Sequence, residues 1–303
     1  MNDTAIQLSL CIPTNGVVEW VEPVLNSIYE EKSPAGSFEV VVTDNGDNEA
    51  FHVFMTDYCR NHPNLIYKKT NAFQFQNQIE AFRLATGKFI KFVNHRTFLL
   101  PGALNYLLNF VAKHEKEKPV VYFQDNKCAG EYKSFDHFVA GLSYWSSYSG
   151  GVAMWKSDFD QMDLTQPFNR LFPHTNMIFS VKDRSSYIID GHKLVEALPT
   201  DETKKGKYNL FYAFAVEYPS IILKMYQDGD ISLDTFKSVK DDNFGFLANL
   251  YTDYILLKKP CSYILDQYKE NLNVFYENKT MFYKVAIILL KKVLYRCKVA
   301  VDG

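Results

Sequence analysis

Apolar and polar positions along the first hundred residues follow two alternating periods. Ile6 to Ile12 is a short apolar run closed by Pro13, the mark of a buried strand. Val17, Val21, Val24, Leu25 and Ile28 then recur at helical spacing, which predicts a helix over 17–30. Phe38 to Thr43 is a β-branched run of the kind buried on both faces, and it ends in the turn cluster Asp44-Asn45-Gly46-Asp47. The pattern continues with a helix over Glu49 to Arg60, a strand at Leu65-Ile66-Tyr67, a helix over Phe75 to Ala85 and a strand at Phe89 to Val93. Gly87 sits where a helix C-terminal glycine is expected. Strands alternating with helices predict an α/β fold with a mostly parallel sheet covered by helices on both faces. Ligands bind such sheets beyond the carboxyl ends of the strands. Asp44 and Asn94-His95-Arg96 fall at such ends and are expected to face one cleft.

Further along, the pattern predicts a helix over Pro101 to His114 and a strand over Pro119 to Gln124. Between Asp125 and Met154 the composition turns to Ser, Tyr and Gly, including the run from Ser143 to Gly151. That stretch reads either as a mobile loop beside a binding site or as an ordinary surface loop. Phe172-Pro173-His174-Thr175-Asn176 leads into a helical run over Met177 to Val181, and Tyr187 to Asp190 reads as a late strand. Residues 203–260 read as mainly helical, with a break at Asp228-Gly229-Asp230.

Composition narrows the class of protein. With 303 residues, 47% hydrophobic and 22% charged, a packed globular chain is expected rather than a disordered one. A net charge of −2 argues against a protein built around nucleic acid. Five scattered cysteines without a Cys-x-x-Cys pair, and an N-terminus without a basic, apolar leader, point to a reducing cytoplasm. No apolar run approaches the ~20 residues of a membrane-spanning helix. Residues 283–301 predict a basic amphipathic helix, with Lys284, Lys291, Lys292, Arg296 and Lys298 in one sector. Such a helix suits the anionic inner face of a membrane, and equally a docked helix with a solvated basic face.

Several short motifs, taken in order, carry a resemblance. They are Leu10-Cys11-Ile12-Pro13-Thr14-Asn15, Glu39 to Gly46, Asn71, Asn77, Ala85 to Phe92, and Leu100-Pro101. Together they resemble the nucleotide-sugar glycosyltransferases of family 2, which have the GT-A fold. The resemblance implies a catalytic domain over 1–202, with a nucleotide-binding half at 1–100 and an acceptor half at 101–202, followed by a helical region over 203–303. It also implies that Pro13, Thr14 and Asn15 pack under the nucleobase and that Asp44 accepts a hydrogen bond from it. Asp44 reads equally as a turn-former or helix cap. Asn71 and Asn77 are candidates for ribose or phosphate contacts, or for plain turn and helix positions.

One departure from the family pattern matters most. Where the family carries clustered aspartates for a divalent metal, this chain has Asn94, His95 and Arg96. A hard cation wants several oxygen ligands, whereas a guanidinium binds diphosphate directly. Hence no metal cofactor is expected. Arg96, with His95, is expected on the leaving group, unless Arg96 faces solvent or pairs with a carboxylate. The family's general base is an acidic residue at a helix start, and here His174 stands near that place. It reads as a base, a phosphate contact or a residue without chemistry, with Asp136, Asp160 and Asp163 as replacement carboxylates. The resemblance implies inverting transfer of a sugar from a nucleoside-diphosphate donor to a glycan hydroxyl, in surface polysaccharide synthesis on a lipid-linked acceptor. Two other readings stay open. One is a non-catalytic GT-A scaffold that binds a nucleotide-sugar or a partner transferase, and the other is a metal held through His95, His174 and a distant carboxylate.

Overall fold

The computed structural model describes residues 6–34, 36–125, 128–199, 201–277, 280–281 and 283–290. The chain divides near residue 199 into two units.

The first unit is organised by a five-stranded sheet. Its strands are β1 (Leu8–Thr14), β2 (Phe38–Asp44), β3 (Leu65–Lys69), β4 (Phe89–Phe92) and, later in the chain, β8 (Ala153–Trp155). The order is β3-β2-β1-β4-β8, parallel throughout except for β8, which runs antiparallel to β4. Every residue of β2 is buried, as its unbroken apolar run requires for a strand covered on both faces. The connections are helical: α1 (Val18–Tyr29), α2 (Glu49–Asn61) and α3 (Asn77–Leu84). α1 buries Val21, Val24, Leu25 and Ile28, four of the five periodic positions, against one face of the sheet.

The remaining elements extend this frame. β5 (Thr97–Leu99) precedes α4 (Ala103–His114) and pairs with β10 (Val195–Ala197). A three-stranded sheet holds β6 (Val120–Phe123), β9 (Tyr187–Asp190) and β7 (Gly130–Tyr132), in the order β6-β9-β7. α5 (Phe135–Leu142), α6 (Lys156–Asp160) and α7 (Pro173–Phe179) are short helices between them.

Gly87 has a different role from that of a helix cap, because α3 ends three residues earlier at Leu84. A Cβ at Gly87 would lie 2.7 Å from the Ser9 hydroxyl and 2.8 Å from the Leu8 carbonyl carbon. The bare backbone lets this corner reach the buried Glu39 carboxylate. That group also accepts from the Ser9 hydroxyl at 2.6 Å and from the Thr86 hydroxyl at 2.9 Å. A buried carboxylate is tolerable only when its lone pairs are filled in this way.

The second unit is helical. α8 (Leu210–Tyr212) runs through a π-turn into α9 (Tyr218–Gln227), followed by α10 (Leu233–Leu250) and α11 (Tyr268–Asn273). Asp228 to Asp230 breaks the chain between α9 and α10, with Gly229 in the left-handed region at φ +81°. Residues 283–290 are helical, and the rest of the predicted basic helix lies outside the described residues. Val285 is buried, while Tyr283, Ile287 and Leu290 are exposed by 72%, 37% and 60%. The Lys284 ammonium reaches the Asp241 carbonyl at 3.2 Å and the Phe244 ring at 4.5 Å. Lys284 is thus turned onto the unit, and three apolar side chains face outward.

Candidate active site

The parallel strands β1, β2 and β4 end at one edge of the sheet, and the loops there are tied together by side chains. Asn77, the first residue of α3, donates to the Thr14 carbonyl at 3.1 Å and to the Thr43 carbonyl at 2.9 Å. Its oxygen accepts from the Thr70 hydroxyl at 2.8 Å. Both amide donors are therefore used, and Asn77 clamps strand ends where a ribose or phosphate contact was expected. Asn45 secures the next loop through the Ala72 and Gln74 carbonyls at 2.9 and 3.1 Å. Gly46 has no room for a Cβ, which would overlap the Asn15 carbonyl.

Asp44 lies at the centre of this edge with a carboxylate that is 0% exposed. It accepts from the Gly46 amide at 2.8 Å, the Tyr67 hydroxyl at 3.1 Å and the Lys69 ammonium at 3.4 Å. Burial and the neighbouring Asp44 charge push the Tyr67 phenol well above its usual pKa, so it stays a donor. Lys69 is half-exposed and also approaches Asp47 at 4.0 Å. Asn15 and Asn71 are exposed beside these loops, and Pro13 is partly buried.

At the end of β4, Asn94 turns its oxygen inward to accept the Arg96 amide at 2.9 Å, closing an Asx turn. His95 Nδ1 lies 2.8 Å from the Thr14 hydroxyl, and its ring meets Trp20 edge-on at 5.2 Å. Burial, with the Arg96 charge beside it, lowers the His95 pKa to about 3, so the imidazole is neutral at pH 7. The Arg96 guanidinium lies 5.2 Å from the Trp20 ring centroid, a cation–π contact that restrains it on the first turn of α1.

The segment entering β8 reaches the same edge, because β8 is antiparallel to β4 and so begins where β4 ends. Four buried side chains from elsewhere donate to its backbone. Lys91 on β4 reaches the Gly150 carbonyl at 2.6 Å. Tyr122 on β6 donates to the Trp145 carbonyl at 2.7 Å and also to that of Tyr148. His174 and Thr175, in the first turn of α7, meet the Ser147 and Ser146 carbonyls at 2.9 and 2.8 Å. Within this segment Ser143–Ser147 and Ser149–Gly151 form short helical turns.

The expected site residues thus fall into two groups. Thr14, Asp44, Asn77, Asn94, His95 and Arg96 gather at one edge, linked through Thr14. His174 lies in the second group and is 4% exposed, with Nε2 directed at Ser147 and Nδ1 buried without a hydrogen-bond partner among the described residues. Its burial lowers the pKa to about 4. Asp160 pairs with Lys156 at 2.7 Å, Asp163 caps the Thr165 turn, and Asp136 sits in the first turn of α5. Trp20, Lys69 and Lys91 are the residues that periodicity missed. Only Lys69 left a signal, since a strand two residues longer than Leu65-Ile66-Tyr67 pairs it in register with Asp44.

The family model for glycosyl transferase family 2 matches residues 9–176, more than half of the chain, and the chain belongs to that family. It has the GT-A fold. No curated protein sequence matches the chain. Among solved structures, S. aureus TarS 1-349 in complex with UDP-GlcNAc aligns with a TM-score of 0.57 at 16% identity, over 89% of this chain and 80% of that one. S. aureus TarS aligns with a TM-score of 0.52 at 17% identity, over 82% of this chain and 44% of its own. The present chain therefore spans less than half the length of TarS, and at such identity the likeness is one of fold.

Proposed function

We propose that this protein moves a sugar from a nucleoside-diphosphate donor to a glycan hydroxyl with inversion and without a divalent metal. The observation that carries this reading is the end of β4. A divalent-cation site needs several free oxygen ligands. Here Asn94 offers one neutral oxygen that already accepts the Arg96 amide, and Arg96 places a fixed positive charge beside it. These residues do not fit a hard cation. Among the described residues, no cluster of three His, Cys, Asp or Glu side chains is arranged to hold any metal ion.

In the proposed reaction the acceptor oxygen attacks the anomeric carbon as the bond to the diphosphate oxygen breaks. The departing diphosphate gains negative charge, and a preorganised cation beside it lowers the barrier. That duty falls to Arg96 alone, since His95 is neutral and serves to wedge Arg96 and Trp20 against Thr14. Asp44 receives the nucleobase N–H when Lys69 withdraws. An ion pair with one half-exposed partner is worth about 1 kcal/mol, so a base displaces it at small cost. His174 anchors the 143–151 segment. The acceptor's proton then passes to one of the carboxylates of the acceptor half, Asp136, Asp160 or Asp163.

The acceptor is proposed to be a lipid-linked surface glycan. The outward-facing Tyr283, Ile287 and Leu290, continued by the basic sequence after them, favour an anionic membrane as its setting. No helix among the described residues is long and apolar enough to cross a membrane. The test is a transfer screen of UDP-, GDP-, CDP- and dTDP-sugars in EDTA, with product configuration read by the anomeric coupling in NMR. An inverted product in EDTA supports the reading. A retained configuration, or no turnover by the wild type, overturns it and favours a nucleotide-sugar-binding scaffold.

A further inference from the structure

We infer that Tyr144, Trp145 and Tyr148 form an aromatic platform that stacks on a pyranose ring of the acceptor chain. The proposal rests on the glycosyl-transfer reading and names the surface on which its acceptor lies. Tyr144 and Trp145 stack at 5.0 Å between centroids, and Trp145 meets Tyr148 at 5.5 Å, so the three rings form one continuous group. Such rings would ordinarily be core. Here Tyr144 and Trp145 are only partly buried and Tyr148 is 38% exposed.

Their setting argues for a ligand surface rather than incidental exposure. The segment lies at the carboxyl edge of the sheet, because the Val152 carbonyl accepts the Phe92 amide at 3.0 Å, two residues before Asn94. It therefore flanks Arg96 on the side opposite Asp44 and β3, where the acceptor must approach if the nucleotide lies over β1 and β2. The segment is also preorganised. Lys91, Tyr122, His174 and Thr175 all direct buried donors at its carbonyls, so the rings are presented without an ordering cost at binding. Gly151 admits no side chain, since a Cβ would enter the Tyr122 ring.

The chemistry selects a carbohydrate. One face of a pyranose presents axial C–H groups while its hydroxyls lie at the rim, so a ring that is apolar in body and polar at its edge matches it. Trp and Tyr are such rings, large and rigid with few rotamers to lose. The platform is expected to hold a neutral sugar one or more units from the reacting hydroxyl. Its loss should weaken acceptor binding and leave the donor untouched.

Saturation-transfer NMR of the full chain with maltohexaose, cellohexaose, chitohexaose and mannohexaose tests this. The wild type should transfer saturation to ring C–H protons of at least one probe. Trp145→Ala and Tyr148→Ala should each weaken that binding about tenfold, the scale of one lost aromatic contact, whereas Trp145→Phe should retain most of it. Circular dichroism identifies a variant that fails to fold, and Tyr148→Ala, at the most exposed ring, then decides. Nucleotide binding measured in parallel separates this inference from the reading on which it rests. Unchanged nucleotide affinity with lost glycan binding supports the platform. Glycan binding that survives both alanine variants, or no binding of any probe by the wild type, overturns it while leaving nucleotide binding to stand. No nucleotide binding at all sinks the glycosyl-transfer reading instead.

Discussion

The two sides of the sheet's carboxyl edge are built by different means. On the side of β1, β2 and β3, the loops are tied by short amide side chains, Asn45, Asn48 and Asn77, which stand at the strand and helix ends themselves and reach partners 27, 32 and 63 residues away in sequence. On the side of β4 and β8, the 143–151 backbone is held by Lys91, Tyr122, His174 and Thr175, between 23 and 59 residues away in sequence. The first arrangement belongs to a site made from strand-end motifs. The second is made from buried side chains on β4, β6 and α7 that meet at one backbone segment.

The largest effect should come from Arg96, which lies between the two sides. Arg96→Ala should lower kcat about 10²–10³-fold, the scale of losing one preorganised charge donor, with nucleotide affinity largely kept. Steady-state kinetics with saturating donor check it, and a change confined to KM would contradict it. A second comparison uses one glycine from each side. Gly46→Ala and Gly151→Ala both force a side chain into occupied space and should each cost about 1–3 kcal/mol. Gly46→Ala should weaken nucleotide binding, whereas Gly151→Ala should spare it. Urea denaturation and nucleotide titration of the two variants separate these effects.

Lys91 offers a pH test of the second side. It is 2% exposed, donates to the Phe92, Gly150 and Val152 carbonyls, and pairs with no carboxylate among the described residues. Burial lowers its pKa to about 7. The unfolded side chain keeps its proton to about pH 10.4, so between these values unfolding takes up a proton. Stability then rises as the pH increases. Denaturation at pH 7 and pH 9 should show this rise in the wild type and its loss in Lys91→Met. The smallest effect is expected from Lys69→Ala, which removes a contact worth about 1 kcal/mol and opens Asp44. Nucleotide affinity should stay level or improve slightly, and a tenfold loss would show that Lys69 itself holds the ligand.

The same contrast explains what was legible in the sequence. β1, β2 and α1 were readable because their periodicity is local, and Arg96 because it replaces an expected acid at a strand end. Trp20 looked like any ring on a helix. Its contact with Arg96 depends on α1 packing against β5, which begins one residue after Arg96, and no local pattern encodes that. The 143–151 segment has the composition of a loop, and buried donors from β4, β6 and α7 add to the hydrogen bonds of its own short turns. Asn77 and His174 have chemistry suited to ligands, but burial turned that chemistry onto backbone carbonyls. The strands β5, β7, β8 and β10 are three residues each, too short to leave an alternation.

The central claim is that a fixed guanidinium takes the place of a metal on the diphosphate. Isothermal titration with UDP, GDP, CDP and dTDP, in EDTA and then with Mg²⁺ or Mn²⁺, tests it most directly. The account predicts that one nucleotide binds in EDTA and that added metal changes its affinity less than threefold. Binding that appears only with metal would contradict it.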